Sequence, residues 1–267
     1  MEFHDINRRG LVLVGCGRMG GALLRGWLSN GIVPEAVTVI DPNAAPGLAE
    51  AGLRVNAPLP EAPAVLVLAV KPQMMGAALD GLDAHADTLV LSVAAGVTLD
   101  AYQRRFPHAP IVRAMPNTPA AIGRGITAII GNSAAGEDIM AQAEALLSVV
   151  GSVVRLRDEG QMDAVTGLSG SGPAYVFHLI EALAAAGEAE GLGPQLALDL
   201  ARATVAGAGA LAMADDTPPA TLRENVTSPA GTTAAGLALL MDEQDGLKPL
   251  IRRTVRAATA RSVELGK

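Results

Sequence analysis

Leu11-Val12-Leu13-Val14-Gly15-Cys16-Gly17-Arg18-Met19-Gly20, running on into Ala22-Leu23-Leu24-Arg25-Gly26-Trp27-Leu28, is the stretch that decides the fold. It reads as a buried strand, a tight glycine turn and a helix. The three glycines have three separate uses. Gly15 allows the tight turn, Gly17 lets a pyrophosphate approach the backbone, and Gly20 lets the helix lie close on the strand. The helix start then aims unpaired N–H groups and a partial positive charge at the phosphates. A GxGxxG pattern alone is weak evidence. The flanking strand and helix raise a dinucleotide site above a plain βα turn.

Outward from this turn, strand-like and helix-like runs alternate. Val37-Thr38-Val39-Ile40 reads as a second strand, ending at Asp41-Pro42-Asn43. Residues 46–52 read as a short helix, and Pro58, Pro60 and Pro63 mark a loop. Val65 to Val70 and Thr88 to Val93 are continuous apolar runs, the pattern of strands buried on both faces. Met74 to Leu82 and Leu99 to Phe106 read as helices, the latter with Thr98 as cap. Ile111 to Met115, Ile126 to Ile130 and Ser152 to Leu156 read as further strands, with a helix over Glu137 to Val150. This alternation predicts a doubly wound parallel sheet. Ligands of such sheets bind beyond the strand C-termini, near the switch in strand order. Asp41 sits where a ribose-binding carboxylate would stand, yet Asp-Pro-Asn is also good turn chemistry. Both readings stay open.

Beyond residue 158 the strand-like runs stop. Pro173 to Glu190, Pro194 to Ala214, Pro218 to Glu224, Pro229 to Met241 and Asp245 to Leu265 all read as helices, several with Pro in the first turn. Residues 1–157 are therefore expected to form a Rossmann-like dinucleotide-binding domain, and 158–267 an all-helical substrate and dimerisation domain. Gly187, Gly191, Gly207 and Gly209 are placed to let helices approach closely, within one chain or between two.

Composition narrows the function classes. The chain has 267 residues, 50% of them hydrophobic and 18% charged, with 2% aromatics. That is a globular composition with a core of Ala, Val, Leu, Ile and Met. Its apolar excess is consistent with surface buried between subunits. The net charge of −7 argues against general nucleic-acid binding. Cys16 is the one cysteine, so neither a disulfide framework nor a cysteine zinc site is expected. It reads as a small filler in the turn. No run is apolar enough to span a bilayer, and no apolar signal core opens the chain, so a cytoplasmic protein without a membrane partner is expected.

Candidate catalytic groups are sparse. His4, His85, His108 and His178 lie apart, and His178 falls inside an apolar helix, where a core role is expected. Nucleophile elbow, P-loop and HExxH patterns are all missing, and no metal is expected. Two polar stretches stand out, Thr166-Gly167-Leu168-Ser169-Gly170-Ser171-Gly172-Pro173-Ala174-Tyr175 and Asn225-Val226-Thr227-Ser228-Pro229-Ala230-Gly231-Thr232-Thr233. The first is expected to serve close packing. In the second, Ser228 fits a helix N-cap and Pro229 the first helical position. Such a helix start can hold a carboxylate through backbone N–H groups.

These stretches resemble pyrroline-5-carboxylate reductase. The resemblance runs through Val14 to Gly20, Ala69-Val70-Lys71-Pro72, Ala94 to Val97, Arg113-Ala114-Met115-Pro116-Asn117-Thr118-Pro119, Thr166 to Tyr175 and Asn225 to Thr233. It implies an enzyme that reduces 1-pyrroline-5-carboxylate to proline with NAD(P)H, the last step of proline synthesis. It also implies a homodimer interlocked through the helical domains, with rings of dimers such as a decamer. Carried over by position, Val14, Gly15, Cys16, Gly17, Arg18 and Met19 would hold the pyrophosphate, and Gly20 would complete the cofactor-binding turn. Asn56, Ala69, Val70, Lys71 and Pro72 would line the cofactor, and Ala95, Gly96 and Val97 the nicotinamide. Ser228 and Thr233 would belong to the catalytic site, with the Thr233 hydroxyl near the imine nitrogen. The backbone of Ala230, Gly231 and Thr232 would hold the substrate carboxylate. Ala230 stands where the family usually has a second glycine. Asp41 would favour NADH over NADPH, but Asn43 and the lack of a nearby Arg leave the preference undecided. Rival readings are a different imine or 3-hydroxy acid reductase of similar architecture and a non-catalytic NAD(P)-binding dimer. The 3-hydroxy acid class relies on a helical-domain lysine; only Lys248 and Lys267 follow Lys71, neither in a catalytic-looking motif.

Overall fold

Leu11–Val14 forms β1, buried along its whole length inside an eight-stranded sheet. The computed structural model describes residues 3–266. Before β1 comes a helix the sequence reading did not place, α1 (His4–Arg9), which buries Ile6 and carries Asp5 in its first turn and Arg8 and Arg9 in its last. After β1 come α2 (Arg18–Ser29), β2 (Val37–Ile40), α3 (Gly47–Glu50), β3 (Arg54–Val55), β4 (Val65–Leu68), α4 (Met75–Leu79), β5 (Leu89–Ser92), α5 (Leu99–Arg105), β6 (Ile111–Met115), β7 (Gly125–Gly131), α6 (Glu137–Ser148) and β8 (Gly151–Arg155). The strand order is β3-β2-β1-β4-β5-β6-β7-β8, so the order switches beside β1. Its neighbours are in register: Val14 pairs with Ile40 on one side and Leu68 on the other.

One strand direction differs from the expected parallel sheet. β7 runs antiparallel to β6, with Met115 opposite Ala128. Only the short link 116–124 joins them, containing a 3-10 turn at Thr118–Ile122 that ends in left-handed Gly123. A parallel neighbour needs a crossover of a dozen or more residues, so this link can only reverse the chain. Parallel pairing resumes between β7 and β8 across α6.

Alternate residues of the strands feed two cores. Leu11, Leu13, Val37, Val39, Val65, Val67, Leu89 and Leu91 pack under α2 and α6. Val12, Val14, Leu66, Leu68, Val90 and Ile111 pack under Met75, Tyr102 and Phe106. Trp27 of α2 is fully buried, and its Nε1 donates to the Leu146 carbonyl of α6 at 2.7 Å.

The remainder is helical: α7 (Met162–Val165), a π-helical turn over Thr166–Gly170, α8 (Gly172–Ala189), α9 (Pro194–Ala212), α10 (Pro219–Asn225), α11 (Thr232–Leu240) and α12 (Leu247–Leu265). The chain divides into two compact units. The first holds the described residues up to Gly170 together with those from Ala258 onward, and the second holds Ser171–Ala257. Within the second unit α8 packs on α9, where a β-carbon on Gly187 would stand 3.3 Å from the Ala197 β-carbon. Gly207 and Gly209 face open space instead. His178 is not a core residue. Its side chain is 82% exposed, with Nδ1 3.0 Å from Glu181 Oε2 one turn on. None of the described helices is long and apolar enough to cross a membrane.

Candidate active site

The glycine turn has the geometry a dinucleotide needs. Gly15 sits at φ +92°, and a β-carbon there would come within 2.8 Å of the Ala69 carbonyl and 2.9 Å of Val70. It therefore holds the β1 turn tightly against the one that follows β4. A β-carbon on Gly20 would strike the Gly15 carbonyl, so α2 lies hard against the turn. At Gly17 the opposite holds: a β-carbon would meet nothing within 4 Å. That residue is the N-cap of α2 and supplies no side-chain cap. The first amides of a twelve-residue helix thus open onto free space, a fit for a pyrophosphate.

Asp41 and Asn56 brace this turn. Asp41 Oδ2 accepts the Cys16 N–H at 2.7 Å, and Oδ1 accepts the Asn43 N–H at 2.8 Å. The turn reading of Asp41 is therefore realised, and its carboxylate also holds the glycine turn in place. Asn56, in the left-handed region at φ +48°, grips the Asp41 backbone from both sides. Its Oδ1 accepts from Asp41 N and its Nδ2 donates to Asp41 O, each at 3.0 Å. Burial, and then the Asp41 charge, raise the Cys16 thiol above its ordinary pKa. It stays protonated and poorly nucleophilic near neutrality, as a filler should.

Two more turns stand along the same sheet edge. Ala69 continues β4 and donates its N–H to the Val14 carbonyl at 2.8 Å, while Val70 packs on Gly15. Lys71 is exposed and begins the 3-10 turn Pro72–Met74. The turn from Ala94 to Thr98 joins β5 to α5. At its start, Ser92 Oγ accepts the Ala94 N–H and lies 2.6 Å from the Tyr102 hydroxyl. At its end, Thr98 caps α5 through the Ala101 N–H, as the sequence suggested. Glu159, which sequence reasoning gave no role, accepts the Leu99 N–H at 2.8 Å and Arg113 Nη1 at 2.7 Å. The two partners lie 60 and 46 residues from it in the chain, so no local pattern marks the cluster.

The Met115 to Pro119 turn meets the Thr166–Gly170 π-helical turn. A β-carbon on Gly170 would stand 2.6 Å from Met115 Cε, and Asn117 Nδ2 lies 3.4 Å from Ser169 Oγ. Close packing is thus what this glycine supplies.

Ser228 to Thr233 lie in the second unit. Here the expected helix start is corrected. The N-cap of α11 is Gly231, not Ser228, and Pro229 stands outside the helix. Ser228 to Gly231 form a turn closed by the Gly231 N–H on the Ser228 carbonyl at 3.1 Å. Pro229 at its second position and Ala230 at φ +57° at its third make it type II. A β-carbon on Gly231 would collide with Ser228 Oγ, which therefore lies over the helix start. Thr232 and Thr233 are the first two helical residues, both exposed. With no side-chain cap on these amides, the start of α11 can accept a carboxylate. Among the described residues no group of three or more His, Cys, Asp or Glu side chains is placed to hold a metal.

Two family models match separate stretches of the chain. Residues 159–265 match the family model described as pyrroline-5-carboxylate reductase dimerisation, and residues 10–96 match NADP oxidoreductase coenzyme F420-dependent. A pyrroline-5-carboxylate reductase of Synechocystis is 50% identical over 204 residues, 76% of this chain and 75% of its own. One from Methanosarcina acetivorans is 41% identical over 265 residues, 95% of this chain and 97% of its own. The crystal structure of Plasmodium falciparum pyrroline carboxylate reductase with NADP bound superposes with a TM-score of 0.83 at 28% identity, covering 98% of this chain and 99% of that one. The chain belongs to the pyrroline-5-carboxylate reductase family.

Proposed function

We propose that this protein reduces the cyclic imine 1-pyrroline-5-carboxylate to proline with NAD(P)H, as the last step of proline synthesis. The observation that carries the reading is the match, over nearly the whole chain, to relatives that bear that activity in their names. Residues 1–157 are taken as the dinucleotide region and 158–267 as the substrate and dimerisation region. The working assembly is a homodimer, with a ring of dimers such as a decamer as the larger form, in the cytoplasm.

When bound, the nicotinamide supplies the hydride that reduces the imine carbon. The protein's own task is binding and alignment. Val14 to Met19 hold the pyrophosphate on the open amides of α2, with Asn56 and Ala69 to Pro72 along the rest of the cofactor. Ala95 to Val97 hold the nicotinamide. The backbone of Ala230 to Thr232 holds the substrate carboxylate at the start of α11. Thr233 Oγ1 fixes the ring nitrogen as it becomes an amine, with Ser228 belonging to the same site. An iminium already carries its proton, so orientation by a hydroxyl suffices without a strong base. Thr233→Ala should lower kcat by on the order of tenfold or more while the Kd for NAD(P)H stays near the parent value. Unchanged turnover would remove Thr233 from this role.

Asp41 bears on cofactor choice. Anchored beside the glycine turn, its carboxylate repels a 2′-phosphate, so kcat/KM should be higher with NADH than with NADPH. A strong NADPH preference would overturn that argument. The same assay, run with and without pyrroline-5-carboxylate, tests the activity itself.

A further inference from the structure

We propose that Glu159 is a positioning residue for hydride transfer: by tying the start of α5 to the buried Arg113, it sets the Ala94 to Thr98 turn against the nicotinamide. This rests on the functional reading above, which places Ala95 to Val97 at the nicotinamide. All the groups involved lie in the first unit.

Arg113 is on β6, with only 6% of its side chain exposed, so its charge requires a compensating carboxylate. A carboxylate serving only that need can meet the guanidinium with both oxygens. Here a single oxygen, Oε1, takes both Arg113 Nη1 and the Leu99 N–H. The carboxylate is thus a link between two elements. One is β6, which runs on into the Met115 to Pro119 turn, and the other is the first residue of α5. The start and middle of the Ala94 to Thr98 turn have other supports. Ser92 Oγ, itself bonded to the Tyr102 hydroxyl, accepts the Ala94 N–H. Gly96, at φ +77°, is backed by the end of α12, since a β-carbon there would meet the Leu265 carbonyl at 3.5 Å. That helix end is itself fixed by Ser262 Oγ donating to Asp163 Oδ1 at 2.6 Å. The far end of the turn depends on Thr98 and on Glu159. Releasing Glu159 frees that end while the strands and the glycine turn stay in place. An alignment error of about 1 Å at the hydride donor is enough to cost on the order of a hundredfold in rate.

The test uses the full chain as Glu159→Ala and Glu159→Gln. The glutamine keeps an oxygen for the Leu99 N–H but loses the charge opposite Arg113. Glu159→Ala is expected to lower kcat by about tenfold to a hundredfold, leaving KM for pyrroline-5-carboxylate within about threefold. Its affinity for ADP-ribose, which lacks the nicotinamide, should match the parent, while the fluorescence enhancement of bound NADH falls. Hydrogen exchange should quicken in residues 93–105 and not in 11–30. Glu159→Gln should recover most of these readouts. The proposal is overturned if Glu159→Ala lowers only the melting temperature with kcat per folded molecule unchanged. It is equally overturned if both variants lose the same activity, since the charge on Arg113 rather than the tether would then be responsible. Should the parent protein fail to turn over the imine, the functional reading falls. The exchange and nicotinamide-fluorescence readouts then decide the role of Glu159 alone.

Discussion

Ala230 holds φ +57°, where an L-residue's β-carbon crowds the following carbonyl. The type II turn before α11 demands that angle, and glycine would adopt it freely. Ala230→Gly should therefore stabilise the protein by about 0.5–1 kcal/mol, less than the relieved strain because glycine loosens the unfolded chain. Denaturant midpoints check this. The glycine turn offers a sharper contrast. Gly17→Ala adds a methyl to open space at φ −71°, an ordinary angle, so it meets no clash and should cost only about 1 kcal/mol or less, the difference between glycine and alanine at a helix N-cap. Its NAD(P)H affinity should drop by about tenfold or more, because the methyl occupies the phosphate's room. Gly20→Ala, striking the Gly15 carbonyl, should lose both stability and affinity. Equal effects of the two substitutions on the melting temperature would contradict the separate uses assigned to these glycines. Tyr102 gives a pH signature. Burial pushes its phenol up to about 12, against the lowering effects of Ser92 and Arg113. The unfolded phenol ionises near 10 and releases a proton that the folded one still holds. Stability is thus intact below pH 10 and falls as pH rises from 10 to 12, by up to roughly 3 kcal/mol. Tyr102→Phe should remove this component from the alkaline unfolding profile.

Between elements, the α2–α6 contact is the most sharply specified. Gly26 of α2 lies so close to Val149 that a β-carbon would come within 2.6 Å of its Cγ2, and the Trp27 indole reaches the Leu146 carbonyl beside it. Trp27→Phe loses that hydrogen bond and part of a filled volume. It should cost about 3 kcal/mol, read from urea unfolding. A second link is exposed: Arg155 of β8 pairs with Glu137 and Glu144 of α6. Most of the elements on this side of the chain were legible from their apolar runs. Missing from that reading were α1, whose apolar residues are few, and β3, which has two residues. Likewise, nothing in Ile126 to Ile130 announced that β7 would run backwards. The shortness of the link 116–124 decides its direction, and the sequence marks that link only by Pro116 and Pro119. At α11, Pro after Ser imitated a helix start. The true start lies three residues on, because the Gly231 N–H closes the turn onto Ser228.

Across the molecule, the two units differ in how they bury apolar surface. The sheet has a dense core on each face. In the described residues of the second unit, the buried hydrophobics are alanines: Ala184, Ala197 and Ala201. Phe177, Leu196, Leu200, Leu211, Leu239 and Leu240 remain more than 45% exposed in a single chain. A helical unit so poor in buried side chains leaves apolar surface for a partner to cover, which the proposed dimer would do. Leu239→Asp should shift the mass measured by light scattering toward monomer and lower the melting temperature in a concentration-dependent way. A parent protein that is already monomeric at micromolar concentration would remove the dimer from the reading. By itself, the sequence determined the alternating α/β order, the glycine turn between β1 and α2, and the helical character of the remainder. These are written in local periodicity and in residues whose backbone freedom is intrinsic. Only the tertiary structure decided that Asp41 holds the Cys16 amide, that Glu159 joins Arg113 to α5, that the end of α12 backs Gly96, and that β7 reverses. Each of these depends on which distant backbone group is brought within hydrogen-bonding or contact distance, and no local pattern encodes that.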